Sequence, residues 1–258
     1  MRVRFLGTGT SHGVPVLGCT CAVCTSRDSR DSRFRSSVLV RGRGGERVLI
    51  DAGPEFRLQA LAAGLDRLDA VLITHAHADH VHGLDDVRPL CKHAPLPVYA
   101  SGPDRDELAE RFSYAFRSGQ EGGGKPRLDL RVIPDEGIRI GKLDILPVPL
   151  LHGERLTFGY RVGCMSYLTD CSAIPPASMP LLAGTHTLVL DALRRRPHPT
   201  HFSLDQAFEA ARAIQPTRLY LTHICHDLAH EEIQEACDQA CLPFPAAPAY
   251  DGLEFECP

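Results

Sequence analysis

Residues 74–80 read Thr74-His75-Ala76-His77-Ala78-Asp79-His80, directly after the apolar run Ala70–Ile73. The apolar run predicts a buried strand, so the motif would place three imidazoles and a carboxylate at the end of that strand. Ionisable groups at this density are costly to bury together unless a cation offsets the cost. Imidazole with carboxylate suits zinc, and the carboxylates also admit manganese or iron. The motif therefore predicts a metal site.

Three other places in the chain have the same layout, an apolar strand followed by a metal-type ligand. The ligands are His152, Asp170 and His223. Since strand ends meet along one edge of a layered α/β fold, these distant side chains can converge on the motif. Taken singly, His152 or His223 would be typical of a solvated loop, and it is the clustered motif that favours the metal interpretation. Five histidines and two aspartates are then enough for two ions with open positions.

The rest of the chain alternates strands and helices without a composition break, which predicts a single α/β domain over residues 1–258. Predicted strands cover 2–6, 37–40, 47–50, 70–73, 97–100, 143–150, 157–162, 165–168, 187–190 and 219–221. Predicted helices cover 54–64, 203–214 with Ser203 as the cap, and 231–240. Segment 81–128 has weak patterns, with short helical pieces and a flexible Gly-rich loop at 120–126.

Charge and hydropathy narrow the class of function. The chain has 258 residues, 43% of them hydrophobic, and a formal net charge of −4. The sequence pI near 6.3 does not favour a nucleic-acid binder that depends on a broad basic surface. Neither a signal-type segment nor an apolar stretch near 18 residues is evident. We expect a cytoplasmic protein that acts on a small substrate, without membrane or nucleic acid as partner.

Three of the ten cysteines, Cys19, Cys21 and Cys24, lie within six residues of one another. In a chain expected in a reducing compartment, clustered thiols indicate metal binding more than a disulfide framework. A redox-active or incidental thiol cluster is the alternative. The remaining cysteines outside the 221–226 region are predicted to be ordinary packing or surface thiols: Cys91, Cys164, Cys171, Cys237, Cys241 and Cys257.

The run from His75 to His80 resembles the HxHxDH signature of the metallo-β-lactamase-fold hydrolases, and the later ligands follow in that family's order. The resemblance implies a four-layer αββα sandwich with a dinuclear site at one edge, holding manganese or zinc. By that resemblance one ion is held by His75, His77 and His152, the other by Asp79, His80 and His223, and Asp170 bridges them. Asp79 would also orient the nucleophile. Asp51, in Leu-Ile-Asp-Ala-Gly, is expected to hold the motif by hydrogen bonds.

Two further stretches, 18–24 and 221–226, are similar to the phosphoribosyl cyclic phosphodiesterases of the carbon-phosphorus lyase pathway. The similarity implies a structural zinc ion bound by Cys19, Cys21, Cys24 and His226. A Cys3His set is a closed, tetrahedral type of site, and it would hold the polar loop 8–36 against the C-terminal part of the sheet. Cys225 is a rival ligand beside His226.

His201 stands just before the predicted cap of helix 203–214. From local sequence it is as compatible with a solvent-exposed loop as with catalysis, whereas the resemblance implies that it assists phosphoester cleavage by protonating the leaving group or stabilising phosphoryl charge. His198 is a weaker candidate for this role. The basic run Arg194–Arg196 could contact a substrate phosphate or could be a solvated loop, and contact of His12 with substrate is also left open.

The closest resemblance implies a phosphodiesterase that opens a small cyclic phosphodiester, a phosphoribosyl cyclic phosphate, to a phosphomonoester. Three alternatives remain open. A tRNA 3′-processing-type nuclease would need an RNA-gripping arm or a basic surface, and a thioester or lactam hydrolase would use the same metal centre without His201. A non-catalytic role in cofactor biosynthesis is the third, although the complete ligand set argues against it. A homodimer is also left open.

Overall fold

The structure, a computed structural model, describes residues 1–117 and 124–258. These residues form two seven-stranded mixed sheets. The first sheet has the order β14-β1-β2-β3-β4-β5-β6 and contains β1 Arg2–Gly7, β2 Ser37–Arg41, β3 Arg47–Ile50, β4 Ala70–Leu72, β5 Leu96–Ala100, β6 Leu128–Val132 and β14 Glu254–Glu256. The second has the order β13-β12-β11-β10-β9-β8-β7 and contains β7 Ile138–Ile140, β8 Leu143–His152, β9 Arg155–Val162, β10 Met165–Leu168, β11 Thr187–Asp191, β12 Arg218–Thr222 and β13 Ala246–Pro248.

The helices are α1 Phe56–Ala62, α2 Ala78–Val81, α3 Gly102–Arg111, α4 Ser113–Phe116, α5 Leu204–Ile214 and α6 His230–Gln239. Short 3-10 helices cover Ser29–Asp31, Leu84–Cys91 and Pro176–Leu182. Helix α5 begins with a capping box, in which the Ser203 side chain accepts from the Gln206 backbone N–H and the Gln206 side chain accepts from the Ser203 N–H. The sequence prediction of Ser203 as the cap is confirmed.

Three hydrophobic cores define four layers. One core lies between the two sheets, a second lies between the first sheet and its helices, and a third lies between the second sheet and α5 and α6. Strand β2 shows why a core forms on each face of a sheet. Val38 and Val40 point to the core between the sheets, whereas Leu39 points to the core under the helices. Strands with both faces buried have near-continuous apolar runs. The expected αββα sandwich is confirmed.

Most predicted elements are present, and their ends agree with the prediction to within two residues. The sequence prediction missed β6, β7, β13 and β14, which are short and are the edge strands of the two sheets, whereas α3 and α4 fall among the helical pieces expected without bounds in 81–128. Pairing with a neighbouring strand, which a local pattern does not reveal, determines these edge strands. Of the predicted loop 120–126, residues 120–123 lie outside the described part of the chain.

One cysteine prediction is wrong. Cys164 and Cys257, expected to be ordinary thiols, are joined in a disulfide with their Cα atoms 6.4 Å apart. Cys164 lies between β9 and β10, and Cys257 directly follows β14, so the bond connects the two sheets. The 93-residue separation of the two cysteines in sequence gave no local signal for the pairing. Within residues 1–117 and 124–258, no helix has the length and apolar character needed to cross a bilayer.

Candidate metal centre

The predicted donors lie at the edge where the parallel strands end. Leu168 of β10 pairs with Leu190 of β11, and Leu190 pairs with Leu221 of β12. Because these leucines lie side by side, Asp170 and His223, each two residues further on, emerge together at the same edge. Ligand sites in open α/β sheets occur outside the carboxyl ends of parallel strands.

Asp51 follows β3 and orders the turn that carries the histidine motif. Its carboxylate accepts from the Thr74 backbone N–H at 2.9 Å and from the Thr74 hydroxyl at 2.8 Å. It also lies 2.7 Å from His80 Nδ1, which would donate to it and direct Nε2 toward the other donors. The prediction that Asp51 holds this turn by hydrogen bonds is confirmed.

We predict that Asp51→Ala weakens divalent-metal binding by about 10- to 100-fold, because His80 and Thr74 lose the carboxylate that orients them. Competition with a chelating dye measures the affinity, and circular dichroism checks that the protein is folded. The matched control is Asp66→Ala, at an exposed carboxylate remote from the motif. Equal affinities for the two variants would contradict the role of Asp51.

The first donor group consists of His75, His77 and His152, with one ring nitrogen of each lying within 4.8 Å of the others. His75 Nε2 is 2.8 Å from His77 Nδ1. His152 Nδ1 lies 2.8 Å from the Thr200 carbonyl oxygen, to which it can donate, so its Nε2 is the nitrogen that faces the group. These are the three residues that the resemblance assigns to one ion.

The second donor group consists of Asp79, His80, Asp170 and His223, again with donor atoms within 4.8 Å of one another. Asp170 Oδ1 lies 3.3 Å from His80 Nε2 and 3.0 Å from His223 Nε2. Its other oxygen, Oδ2, lies 3.8 Å from His75 Nε2 in the first group. Asp170 therefore stands between the two groups, where a bridging carboxylate is expected.

Unpaired polar atoms among the donors indicate that the two donor groups suit a cation. Within the described residues, His80 Nε2 and His223 Nε2 are buried without a hydrogen-bond partner, although a carboxylate oxygen is close to each. Buried polar groups are nearly always hydrogen-bonded, and unsatisfied ones call for an explanation such as an ion. Nitrogen and oxygen atoms directed at a common point would be satisfied by coordination.

The protonation of the site also suits metal binding. Burial lowers the pKa of His75 well below its usual value and lowers the pKa of three other histidines: His152, His201 and His223. Neutral imidazole is the form that binds a metal ion. Burial also acts to lower the pKa of His80, but the carboxylates of Asp170, Asp79 and Asp51 raise it well above the usual value. Without a metal ion, a proton on His80 balances the negative charge of these carboxylates. A divalent cation would balance that charge instead and leave His80 neutral.

Three residues of the site, Asp51, Asp170 and His223, adopt left-handed backbone conformations with φ of +62°, +52° and +59°. This region costs a non-glycine residue roughly 1–2 kcal/mol and persists where the surroundings enforce it. Each of the three stands just beyond the end of a strand, so the turn redirects the chain and points the side chain at the edge. The strained positions coincide with the residues that build the site.

His201 is buried beside the second donor group. Its ring stacks on His223 with centroids 4.6 Å apart, and it meets the His152 ring edge-on at 4.7 Å. His201 Nδ1 lies 2.8 Å from Asp191 Oδ2, and this contact leaves Nε2 as the free nitrogen. His201 lies in the loop before α5, but the expectation that it could be solvent-exposed is wrong, because the ring is buried against the donors.

Asp191 is the residue that the sequence reading missed. It is fully buried, and besides His201 it accepts from the Cys171 backbone N–H at 3.0 Å. Burial raises the pKa of this carboxyl well above its usual value. The sequence did contain a signal for Asp191, since it follows the apolar run 188–190. The same layout, an apolar strand followed by a polar ligand, marked Asp170 and His223.

The N-terminal thiols gather around His226. Its Nδ1 lies 3.3 Å from Cys19 Sγ and 3.5 Å from the Sγ atoms of Cys21 and Cys24. The Cys24 backbone N–H, donating to Cys21 Sγ, lowers the pKa of the Cys21 thiol to about 6, which favours the thiolate that binds metal. Cys225 is outside this group, and its Sγ accepts from the Asp227 backbone N–H. The geometry favours His226 over Cys225 as the fourth donor.

The loop 8–36 is also fixed by a buried ion pair. The Arg33 guanidinium is fully buried, lies 3.0 Å from Asp31, and donates to the carbonyl oxygens of Cys225 and Leu228 at 2.9 and 3.0 Å. Asp31 in turn accepts from the His230 backbone N–H at 2.7 Å. Breaking a buried pair costs about 3–5 kcal/mol, so this contact holds the loop against the 223–230 segment together with the thiol group.

The remaining candidates differ in position. His12 is exposed. Arg196 pairs with Asp227 at 2.9 Å, and Arg195 is exposed beside α6, so these two arginines point away from the donors. Arg194 is half-buried next to His201, whose pKa it helps to lower.

Comparison with known proteins places these features in a family. The family described as "Beta-lactamase superfamily domain" matches residues 46–224. A crystal structure described as a new diphosphatase from the PhnP family superposes with a TM-score of 0.90 and 43% identity, covering 100% of this chain and 98% of that one. Zn²⁺-bound PqqB from Methylobacterium extorquens superposes with a TM-score of 0.81 over the whole of both chains, at 18% identity, which shows a shared fold.

A curated relative from Porphyromonas gingivalis, named octanoyltransferase, is 41% identical over 257 residues. The match covers 98% of this chain and 51% of the relative, so the chain spans about half the length of that protein. The chain belongs to the beta-lactamase superfamily and has the metallo-β-lactamase fold. Within that superfamily the chain is PhnP-like, as the 43% identical structure shows.

Proposed function

We propose that the protein is a dinuclear-metal phosphodiesterase that hydrolyses a small cyclic phosphodiester, such as a phosphoribosyl cyclic phosphate, to a phosphomonoester. The observation that carries the proposal is the position of Asp170. Its two carboxylate oxygens reach both donor groups, with a buried His201–Asp191 pair alongside. Paired divalent sites of this type are common in phosphoester hydrolases.

In this proposal His75, His77 and His152 would hold one ion, Asp79, His80 and His223 would hold the other, and Asp170 would supply an oxygen to each. Zinc or manganese fits the mixture of imidazole and carboxylate donors. When bound, two such ions lower the pKa of a water molecule and stabilise the charge that develops on the phosphoryl oxygens. A third ion, a structural zinc, is assigned to Cys19, Cys21, Cys24 and His226.

The chain's own residues supply orientation and proton transfer. Asp79 is only partly buried, and its carboxylate orients the attacking water. Asp191 accepts from His201 Nδ1, which fixes the ring so that Nε2 faces the reacting group. In its doubly protonated form, with Nδ1–H held by Asp191, His201 would give its Nε2 proton to the leaving alkoxide, and a proton taken up from the surrounding water would then restore the ring.

Hydrolysis of a phosphoanhydride is the second candidate reaction. It is favoured by the 43% identical structure, which is described as a diphosphatase. The net charge of −4 argues against the nuclease alternative, since RNA binding depends on neutralising phosphates. A thioester or lactam hydrolase would not require the buried His201–Asp191 pair.

A panel of substrates tests the proposal. The purified protein, supplied with Zn²⁺ or Mn²⁺, is given a cyclic ribose phosphate, bis(p-nitrophenyl) phosphate, a nucleoside diphosphate, a phosphomonoester, a thioester and a precursor tRNA. We expect the cyclic ribose phosphate and bis(p-nitrophenyl) phosphate to be hydrolysed, and their phosphomonoester products to accumulate. Turnover of the thioester with inert diesters would overturn the proposal, and preferential cleavage of the diphosphate would favour the second candidate.

For the structural zinc, we predict that Cys21→Ser removes one bound zinc ion per chain and lowers the unfolding temperature, because a zinc site held by the fold contributes to folding free energy. Elemental analysis and thermal unfolding measure the two effects. Cys241→Ser, at an exposed free thiol, is the matched control. Unchanged zinc content in the Cys21 variant would show that the thiols do not hold the ion.

A further inference from the structure

Helix α3 holds the backbone between the first two histidines of the motif. Ala76 lies between His75 and His77. Its backbone N–H donates to Asp104 Oδ1 at 3.0 Å, and its carbonyl oxygen accepts from the Arg111 guanidinium at 2.7 Å. Both contacts come from one helix, since Asp104 lies in its first turn and Arg111 is its last residue. The helix therefore fixes the backbone from which the two histidine side chains project.

The Asp104 carboxylate is buried, and both of its oxygens accept hydrogen bonds. Asp104 is only 2% exposed. Its Oδ2 accepts from the Ser101 hydroxyl at 2.5 Å, and its Oδ1 accepts from the Arg155 guanidinium at 2.5 Å as well as from the Ala76 N–H. Burying a carboxylate is costly unless it is paired and hydrogen-bonded, and these three donors offset that cost. The same oxygen therefore contacts both the motif and Arg155.

Arg155 connects this carboxylate to the third histidine of the first donor group. Arg155 is the first residue of β9 and pairs directly with His152, the last residue of β8, across the turn 153–154. The side chains of directly opposite residues lie on the same face of an antiparallel pair. The Arg155 guanidinium also lies 3.1 Å from Glu107 of α3. The turn that carries His152 is thus tied to the helix that holds Ala76.

The charge of Arg155 does not explain its place beside the donors. Burial lowers the pKa of His77, and the charge of Arg155 lowers it further, so the guanidinium is near this ring. A cation close to a metal site repels the metal ion, and its charge alone is unfavourable there. The contacts of Arg155 with Asp104 and Glu107 offset that charge and fix the guanidinium in one position. These contacts indicate a positioning role.

Resting on the proposed function, we infer that Asp104 and Arg155 form a brace between the peptide at Ala76 and the turn that carries His152. The brace sets the distance between His152 and the two motif histidines of the first donor group. Both are positioning residues, since they act on a metal ion only through the ligands that they hold. Ligands fixed before the ion arrives lose less conformational freedom when they bind it, so the brace increases metal affinity.

The deciding variant is Arg155→Met, which keeps a long side chain and removes the guanidinium. Charge and position predict opposite results, because loss of a nearby cation should tighten metal binding, whereas loss of the brace should weaken it. Mn²⁺ is the probe, since thiolates prefer zinc and Mn²⁺ therefore reports on the imidazole and carboxylate donors. We expect its affinity, measured by calorimetry, to fall about 10- to 100-fold. Unchanged or tighter binding would overturn the brace.

Three further variants separate the brace from a general effect on the fold. Glu110→Gln removes an exposed carboxylate from α3 and is the matched control, with wild-type affinity expected. Arg155→Lys keeps the charge but loses the fork, so its loss should be smaller than that of Arg155→Met. Asp104→Asn combined with Arg155→Met should lose no more affinity than the weaker single variant, because both changes break the same contact. Losses that add would contradict a shared brace.

Amide hydrogen exchange of the full chain gives a readout that depends on neither activity nor metal. In Arg155→Met the amides of 74–78 and 151–155 should exchange faster together, whereas Glu110→Gln should keep the wild-type rates. If the wild type binds two active-site ions and hydrolyses the diesters, but Arg155→Met keeps its Mn²⁺ affinity and exchange rates, the brace is wrong and the proposed function stands. If the wild type binds no ion at the motif, the proposed function is wrong, and the exchange rates still decide whether the brace exists.

Discussion

Replacement of Asp170 by alanine is expected to reduce diester hydrolysis by roughly 10³-fold or more, the equivalent of several kcal/mol of transition-state stabilisation. Asp170 Oδ1 lies within 3.3 Å of two histidine nitrogens, and Oδ2 reaches toward His75. In the proposed dinuclear centre, the two donor groups would then lose the oxygen ligand that they share. We therefore expect bound divalent metal to fall along with kcat.

Steady-state kinetics and elemental analysis of the same preparation measure both effects. Asp205→Ala, at an exposed position on α5, is the matched control for removal of one aspartate. Circular dichroism separates loss of metal from loss of fold. An Asp170→Ala protein that retains two active-site ions and most of its activity would remove Asp170 from the bridging role.

Replacement of His201 by alanine is expected to cause the second large loss of diester hydrolysis. We expect kcat to fall by about 10²- to 10⁴-fold while the metal content is unchanged, because in the proposed mechanism His201 donates a proton and is assigned to neither ion. The loss should depend on the leaving group. A p-nitrophenolate departs readily without a proton, whereas an alkoxide needs one. Activity on the cyclic ribose phosphate, whose leaving group is an alkoxide, should therefore fall far more than activity on bis(p-nitrophenyl) phosphate.

That difference between leaving groups distinguishes proton donation from a structural role, which would affect both substrates alike. His93→Ala, at an exposed histidine, is the control. If the variant loses equal activity on both diesters, His201 acts by some means other than proton transfer. If it loses none, the residue has no part in catalysis.

The donors of the site were accessible from sequence because they obey a local rule. Each ligand directly follows an apolar strand, and parallel strands deliver their carboxyl ends to one edge. The same rule applied to residues 188–190 would have found Asp191, which local sequence did not otherwise mark. The αββα layering was implied by the family resemblance, whereas the local pattern predicted only sheets flanked by helices; strands such as β2, with apolar residues on both faces, agree with it.

Other features depend on long-range contacts and had no local signal. Strands β13 and β14 owe their existence to pairing with β12 and β1. The Cys164–Cys257 disulfide and the burial of Arg33 against the Cys225 and Leu228 carbonyls join segments distant in sequence.

Anomalous diffraction from crystals of the metal-loaded protein tests the central claim most directly, because it locates each ion independently of activity. We predict two peaks between the donor groups, both in contact with Asp170, and a third among Cys19, Cys21, Cys24 and His226. A single peak that does not touch Asp170, or none at the HxHxDH motif in protein that hydrolyses the diester, would contradict the dinuclear account.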